Sequence, residues 1–209
     1  MVSKNGCFIV FEGIDGSGKS TQISLLKDHI EEHSINCMTT MEPSNGPIGT
    51  LLRQFLSGRI KGEETTLTAL FAADRLDHLN NPVNGICKLL EDGIAVISDR
   101  YVFSNYAYQS VSVPLEWIMK CNEMANEIVR PDCHIFIDVA PETAMDRVSK
   151  GRHQTDIYET LDRLTDVRER YLDLIHRMED VENIIIIDGN RPEKEIADDI
   201  WAKVCHYFV

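Results

Sequence analysis

Residues 8–22 constrain this chain more than any other stretch. Phe8-Ile9-Val10-Phe11-Glu12 is a short apolar run of β-branched and aromatic side chains, which reads as a parallel strand buried on both faces. It runs directly into Gly13-Ile14-Asp15-Gly16-Ser17-Gly18-Lys19-Ser20-Thr21, and Gly13 to Ser20 fits G-x-x-x-x-G-K-[ST]. The glycines let the backbone turn tightly and aim successive N–H groups at one anion. A helix opening near Gly18 adds the positive end of its dipole to the same anion. Lys19 supplies a full charge for β- and γ-phosphates, and the Ser20 hydroxyl suits Mg²⁺. The plain alternative is a glycine-rich turn that binds nothing. The strand before the motif and the helix after it are the context that a phosphate loop requires, and they favour binding.

Downstream, short apolar runs alternate with amphipathic ones. Cys37–Met41, Ile94–Ser98, Cys133–Ile137 and Ile184–Ile187 read as further strands. Helical spacing appears over 21–33, 48–56, 65–79, 114–129, 141–150 and 161–178, and around Ile196, Ile200 and Val204 after Pro192. Pro82 is expected to open another helix, ending near Gly93. Glu42 to Pro47 is dense in turn formers and reads as a loop. Five near-continuous apolar strands alternating with helices predict an α/β fold: a five-stranded, doubly wound parallel sheet with helices on both faces. The 209 residues suit one domain spanning the chain, and no internal repeat or linker breaks it.

The formal net charge of −13 argues against a nucleic-acid polymer as partner, because there is no basic excess to offset phosphates. An acidic protein that binds nucleotides must concentrate its few cations at the site. No apolar run is long enough to span a membrane, and the first residues lack a secretory pattern. Six scattered cysteines without C-x-x-C are expected to be reduced thiols in a cytoplasmic protein. His29 and His33 share a helix face. They are half of a metal site at most, and are expected to be an exposed pair near a helix C-terminus.

In sheets of this kind ligands bind beyond the carboxyl ends of the strands. Those ends carry Gly13 to Ser20, then Glu42-Pro43, then Asp99-Arg100-Tyr101. Asp99 is a candidate Mg²⁺ carboxylate, with a turn cap as its structural alternative. Arg100 is a candidate phosphate clamp, with a salt bridge to Asp99 or Glu42 as its alternative. Arg147, Lys150 and Arg152 cluster around Gly151 in a polar stretch. At about 147–158 it suits a mobile lid that closes over phosphates.

These residues together resemble the thymidylate kinase (dTMP kinase) family over nearly the full length. Four blocks carry the resemblance: Phe11-Glu12-Gly13 through Gln22; Glu42-Pro43 with Gly49 and Leu52-Arg53; Phe71-Ala72-Ala73-Asp74-Arg75; and Asp99-Arg100-Tyr101 with Ser104 and Ala107-Tyr108-Gln109. Pro131-Asp132 and Arg168-Glu169-Arg170-Tyr171 agree as well.

The resemblance implies a P-loop nucleoside monophosphate kinase fold, transfer of phosphate from ATP-Mg²⁺ to dTMP, and a homodimer. It implies that Gly13, Ile14, Asp15, Gly16, Ser17, Gly18, Lys19, Ser20 and Thr21 bind ATP, and that Ser20 and Asp99 serve the metal. It further implies that Asp15 faces the 3′-hydroxyl of dTMP, Phe71 stacks on thymine and Arg75 reaches a thymine carbonyl. Arg53 and Arg100 hold the dTMP phosphate, Tyr101 crowds the 2′ position, and Ser104 and Gln109 lie near the base. Glu42, Pro43 and Tyr108 complete that site. The family places its catalytic cation either in the P-loop or in the lid. With Gly16 at the P-loop position, this chain is similar to the lid-arginine type, and Lys19, Arg100, Arg147 and Arg152 are its catalytic candidates. Met41, Ser44-Asn45-Gly46 and Ser110 depart from the family pattern. The alternatives are a kinase of another deoxynucleotide or deoxynucleoside, or a P-loop ATPase that is not a kinase.

Overall fold

In the computed structural model, residues 5–151 and 160–208 are described. Five parallel strands form one sheet in the order β2-β3-β1-β4-β5. They are β1 Phe8–Glu12, β2 Cys37–Met41, β3 Ala95–Asp99, β4 Cys133–Asp138 and β5 Ile184–Asp188. β1 lies at the centre, with Phe11 level with Asp99 on one side and Ile135 on the other. The chain first winds to one side of β1 and later to the other. The crevice beyond Glu12 is therefore the topological switch point.

The inner strands are buried on both faces, as continuous apolar runs dictate. The two edge strands are not: Met38 and Met41 of β2 and Ile186 of β5 are exposed. An edge strand loses one neighbour and part of its cover, which an apolar run alone does not reveal.

Nine α-helices connect the strands among the described residues: α1 Lys19–Glu32, α2 Pro47–Leu56, α3 Glu64–Asn80, α4 Ile86–Glu91, α5 Val102–Gln109, α6 Leu115–Ile128, α7 Pro141–Gly151, α8 Leu161–Met178 and α9 Glu193–Val204. α1 packs on α9, while α3, α5, α6 and α8 pack on one another. α2 starts at Pro47 behind Gly46, where a missing N–H costs nothing. α8 starts behind Thr160, whose hydroxyl accepts the Arg163 N–H at 3.3 Å.

Two expectations change. The helix assigned to Pro82 begins only at Ile86, because residues 82–84 form a turn on the Asn81 side chain, whose Oδ1 accepts the Val83 N–H at 2.9 Å. The helix α5 directly after Arg100 had no signal, since all eight of its residues are buried and no polar face marks a period. Residues 152–158 of the expected lid, including Arg152, lie outside the described residues.

His29 and His33 pack on the Trp201 ring, with centroids 5.4 and 5.0 Å away. No metal-binding cluster of His, Cys, Asp and Glu occurs among the described residues, and none of the six cysteines is joined in a disulfide there.

Ile135 is fully buried and sits between Phe11 and Ile185. Ile135→Ala should lower unfolding free energy by about 2–5 kcal/mol through lost transfer energy and a residual cavity. Urea titration checks this, and a loss below about 0.5 kcal/mol would contradict a close-packed centre.

Candidate active site

The P-loop carries the chain from β1 into α1. Gly13, Gly16 and Gly18 all have positive φ, at 142°, 79° and 98°. At Gly16 a Cβ would also lie 2.3 Å from the Ala144 carbonyl of α7. A side chain at this position would be both strained and obstructed. The lysine ammonium bonds the carbonyls of Gly13 and Ile14 at 3.1 and 3.0 Å. Ile14 turns its side chain into the core, and Ser17 is buried beneath the loop.

A cavity of about 620 Å³ opens over this loop. Asp15, Gly16, Gly18, Lys19, Ser20 and Thr21 border it, with Met41, Glu42, Asp99 and Arg100 at the strand ends and Arg147 and Val148 above. Arg147 reaches down from α7: its Nη2 donates to the Gly189 carbonyl at 3.0 Å and its Nη1 to the Ser17 carbonyl at 3.4 Å. Lys150 instead pairs with Asp146 on the exposed side of the same helix at 2.6 Å. Of the expected basic cluster, therefore, Arg147 alone is placed at the P-loop among the described residues.

The Ser20 hydroxyl donates to Asp99 Oδ2 at 3.1 Å, and Asp99 Oδ1 is buried with no hydrogen-bond partner. A hydroxyl beside a carboxylate with an unsatisfied oxygen is a donor set that fits a small, hard cation.

A second cavity of about 330 Å³ adjoins the first and shares Asp15, Met41, Glu42 and Arg100 with it. Its remaining walls are Pro43, Arg53, Leu56, Phe71, Arg75, Tyr101, Ser104, Asn105, Tyr108 and Gln109. All eleven residues singled out for the acceptor nucleotide border this one cavity. Met41, Leu56 and Asn105 join them unannounced.

Arg100 sits where the two cavities meet. Its backbone is left-handed, with φ 74°. Its Nη2 donates to Asp15 Oδ1 at 2.7 Å and to the Tyr108 hydroxyl at 3.1 Å. Its Nη1 donates to the Gly13 carbonyl at 3.0 Å and to Ser104 Oγ at 3.1 Å. The expected alternative partners, Asp99 and Glu42, are not the ones it uses. Burial raises the Asp15 pKa, but Arg100 and then Lys19 outweigh it and hold the carboxyl at about 2. Behind Arg100, the buried Glu12 carboxylate accepts from Ser104 Oγ at 2.5 Å and from the Tyr171 hydroxyl at 2.9 Å. Burial pushes the Glu12 pKa up, and the Ser104 hydrogen bond and Arg100 oppose that shift.

Arg75 is 1% exposed and pairs with Glu42 at 2.5 Å, while its other terminal nitrogen donates to Asn122. Its carboxylate partner is therefore distant in sequence, and not Asp74 or Asp77 within two residues of it. Asp74 instead accepts from the Ser44 N–H and hydroxyl at 2.7 and 2.6 Å. Arg53 holds the same loop through the carbonyls of Pro43 and Ser44 at 2.9 and 2.7 Å. Tyr101 is fully buried and spends its hydroxyl on the Val129 carbonyl at 3.3 Å, so its ring is what borders the cavity. At the end of β4, Asp138 receives a two-pronged bond from Arg168 of α8, at 2.7 and 2.9 Å. That pair braces the strand end beside the P-loop and had no assigned role.

The chain has relatives among known proteins. The thymidylate kinase family profile matches residues 11–200. The chain is similar to a probable thymidylate kinase of Methanobrevibacter smithii, 37% identical over 206 residues, covering 96% of this chain and 95% of that one. It is similar to the thymidylate kinase of Symbiobacterium thermophilum, 37% identical over 202 residues, with 92% and 90% covered. A probable thymidylate kinase of Methanocaldococcus jannaschii is 38% identical over 192 residues, with 90% and 89% covered.

The site is held at a cost in stability. Burial first, and Arg100 second, lower the Lys19 pKa from 10.5 to about 8, against the pull of Asp99 and Asp15. Between those two values the unfolded lysine binds more protons than the folded one, so stability rises with pH there. Below pH 8 the penalty is present in full. Lys19→Met should therefore stabilise the protein near neutral pH by on the order of 1–3 kcal/mol. The gain should shrink as the pH rises from 8 towards 10.5, which urea unfolding across that range measures. A methionine variant less stable than wild type at neutral pH would overturn the sign.

Proposed function

The chain belongs to the thymidylate kinase family, and on that premise we propose that it transfers the γ-phosphate of ATP to dTMP, giving dTDP and ADP. The observation that carries this reading is the shared wall. A P-loop cavity and an aromatic, arginine-lined cavity meet at Asp15 and Arg100. A donor triphosphate over Lys19 and an acceptor phosphate over Arg100 then lie side by side.

The chemistry needs no general base. A phosphate monoester with a second pKa of about 6 is largely dianionic at neutral pH, so the acceptor oxygen already carries its charge. The protein has to align it with the γ-phosphate and neutralise charge. In this reading Arg53 and Arg100 hold the acceptor phosphate, and Lys19 holds the β- and γ-phosphates. Arg147, 3.4 Å from the Ser17 carbonyl, extends that cationic rim and fits the lid-arginine type. The obstruction at Gly16 supports the same type, since no arginine side chain fits at that position. Arg152 stays a proposed catalytic cation on the resemblance alone. Phe71 supplies a flat apolar face for thymine. The Tyr101 ring crowds the 2′ position, and Asp15 accepts from the 3′-hydroxyl.

Ser20 and Asp99 would hold Mg²⁺, which would supply charge neutralisation for the triphosphate. The unsatisfied Asp99 oxygen supports that assignment. We also propose a homodimer, on family resemblance, and a cytoplasmic location, which six cysteines without a disulfide fit. No described helix is long and apolar enough to cross a membrane.

A coupled phosphotransfer assay with dTMP, dUMP, dCMP and dGMP tests the reading. dTMP should be the best acceptor, with dUMP about 5- to 10-fold poorer for want of one methyl contact. Preference for dCMP or dGMP, or ATP hydrolysis without acceptor dependence, would refute it. In the same assay Lys19→Ala should fold and lose roughly 10³-fold in kcat, as expected for removal of a charge clamp. Near-normal turnover by that variant would remove Lys19 from the transition state.

A further inference from the structure

Asp74 stands on α3 between Phe71 and Arg75, which border the acceptor cavity, but it borders neither cavity itself. It is 1% exposed. A carboxylate so deeply buried persists only where hydrogen bonds satisfy its oxygens. One residue supplies them: Oδ2 accepts the Ser44 N–H at 2.7 Å and Oδ1 accepts the Ser44 hydroxyl at 2.6 Å. The Ser44 hydroxyl in turn accepts the Gly46 N–H at 3.0 Å, so its single proton is committed to Asp74. Ser44 is buried as well and borders neither cavity.

The backbone of Ser44 is equally constrained from α2. A Cβ at Gly49 would lie 2.0 Å from the Ser44 carbonyl oxygen, so the missing side chain is what lets the helix approach it. One turn further along α2, Arg53 reaches the same carbonyl. Its Nη1 donates to the carbonyls of Ser44 and Pro43 at 2.7 and 2.9 Å, and its Nη2 to Thr50 Oγ1 at 3.3 Å. Arg53 borders the acceptor cavity. A continuous set of contacts thus runs from Asp74 on α3 through Ser44 to Arg53 on α2. At one end of it stand the residues assigned to the base, and at the other the cation assigned to the phosphate.

We propose that Asp74 and Ser44 are positioning residues that hold Arg53 at a fixed distance from the base-binding wall, and so favour a nucleoside monophosphate over the bare nucleoside. The inference rests on the reading of that cavity as the dTMP site. Arginine is long and rotatable, and a phosphate bound to a wandering guanidinium gains little, because the side chain must first be ordered. The two carbonyls order Arg53 in advance, and Asp74 fixes the residue that carries one of them. A nucleoside without a 5′-phosphate makes no use of Arg53 and is indifferent to the clamp. Selectivity is thereby set from behind the cavity, by residues that border neither ligand space.

Ser44→Ala removes the hydroxyl and retains the backbone N–H and both carbonyls. Calorimetric titration of dTMP into wild type, Ser44→Ala, Arg53→Ala and the double variant measures how far Ser44 acts through Arg53. Ser44→Ala should weaken dTMP about 5- to 10-fold when Arg53 is present and less than about 2-fold when it is absent. Thymidine, which has no phosphate, should compete for wild type and Ser44→Ala with constants that agree within about 2-fold. A serine that merely supported the fold would weaken thymidine as much as dTMP and would act alike with and without Arg53. Either result overturns the clamp, as does an unchanged dTMP affinity in folded Ser44→Ala. Should that variant not fold, Asp74→Asn decides by the same comparisons, since it keeps one acceptor oxygen for the two Ser44 donors. Wild-type protein that binds no dTMP refutes the function and the clamp together. Wild-type protein that binds dTMP, with no coupling between Ser44 and Arg53, refutes the clamp alone.

Discussion

Arg100 stands in a left-handed backbone conformation, and the site depends on what holds it there. For a residue with a Cβ that conformation costs about 1–2 kcal/mol. The backbone accepts it because the Arg100 N–H reaches the Phe11 carbonyl at 2.8 Å, which extends the β1–β3 ladder past the end of β3. The side chain then crosses the crevice to Gly13, Asp15, Ser104 and Tyr108. Hydrogen bonds to a charged group contribute about 1.5–3 kcal/mol each, so a few of them outweigh the strain. One residue in this way ties β1, the P-loop and α5 together. The buried Glu12 anchors the hydroxyls of Ser104 and Tyr171 from behind.

The cations of the crevice fall into two groups by what holds them. Arg75, Arg100 and Arg168 each grip a carboxylate: Glu42, Asp15 and Asp138. Such a pair fixes geometry but presents little net charge at a distance. Lys19, Arg53 and Arg147 are instead held by carbonyl oxygens of Gly13, Pro43 and Gly189. A carbonyl orients a cation without cancelling it. Arg75 and Arg168 frame the walls, Arg100 belongs to both groups through Asp15 and the Gly13 carbonyl, and the carbonyl-bound cations keep their charge uncancelled. That division leaves uncancelled cations in the crevice of a chain whose net charge is −13.

Much of this was legible in the sequence for a local reason. The P-loop needs glycines and a lysine in one contiguous run, and buried strands need continuous apolar residues, so both leave patterns within a few positions. The strand ends then placed Glu42, Asp99 and Arg100 in one crevice by topology alone. What stayed hidden has no local pattern. α5 is buried on every side and shows no period. Arg75 meets Glu42 across 33 positions and Arg168 meets Asp138 across 30, and no spacing rule links residues so far apart. Lys150 and Arg147 look alike in sequence, but three residues of helix rotation send one towards Asp146 and the other over the P-loop.

Glu42 ties the walls of the two cavities into one mechanical unit. Its N–H extends the ladder at 3.0 Å to Asp99, next to the carboxylate that faces Ser20. Its carboxylate grips Arg75 through one oxygen and lies 3.4 Å from His78 Nδ1 through the other. His78 is in turn fixed to Thr40 at 2.6 Å, on the strand that leads into Glu42. Glu42 also borders both cavities. A displacement of this one side chain would therefore shift the Arg75 donors in the acceptor cavity. A displacement of its backbone would shift the strand end beside Asp99. Tight packing transmits such shifts instead of absorbing them, so the wall that carries Arg75 and the strand end beside Asp99 move together.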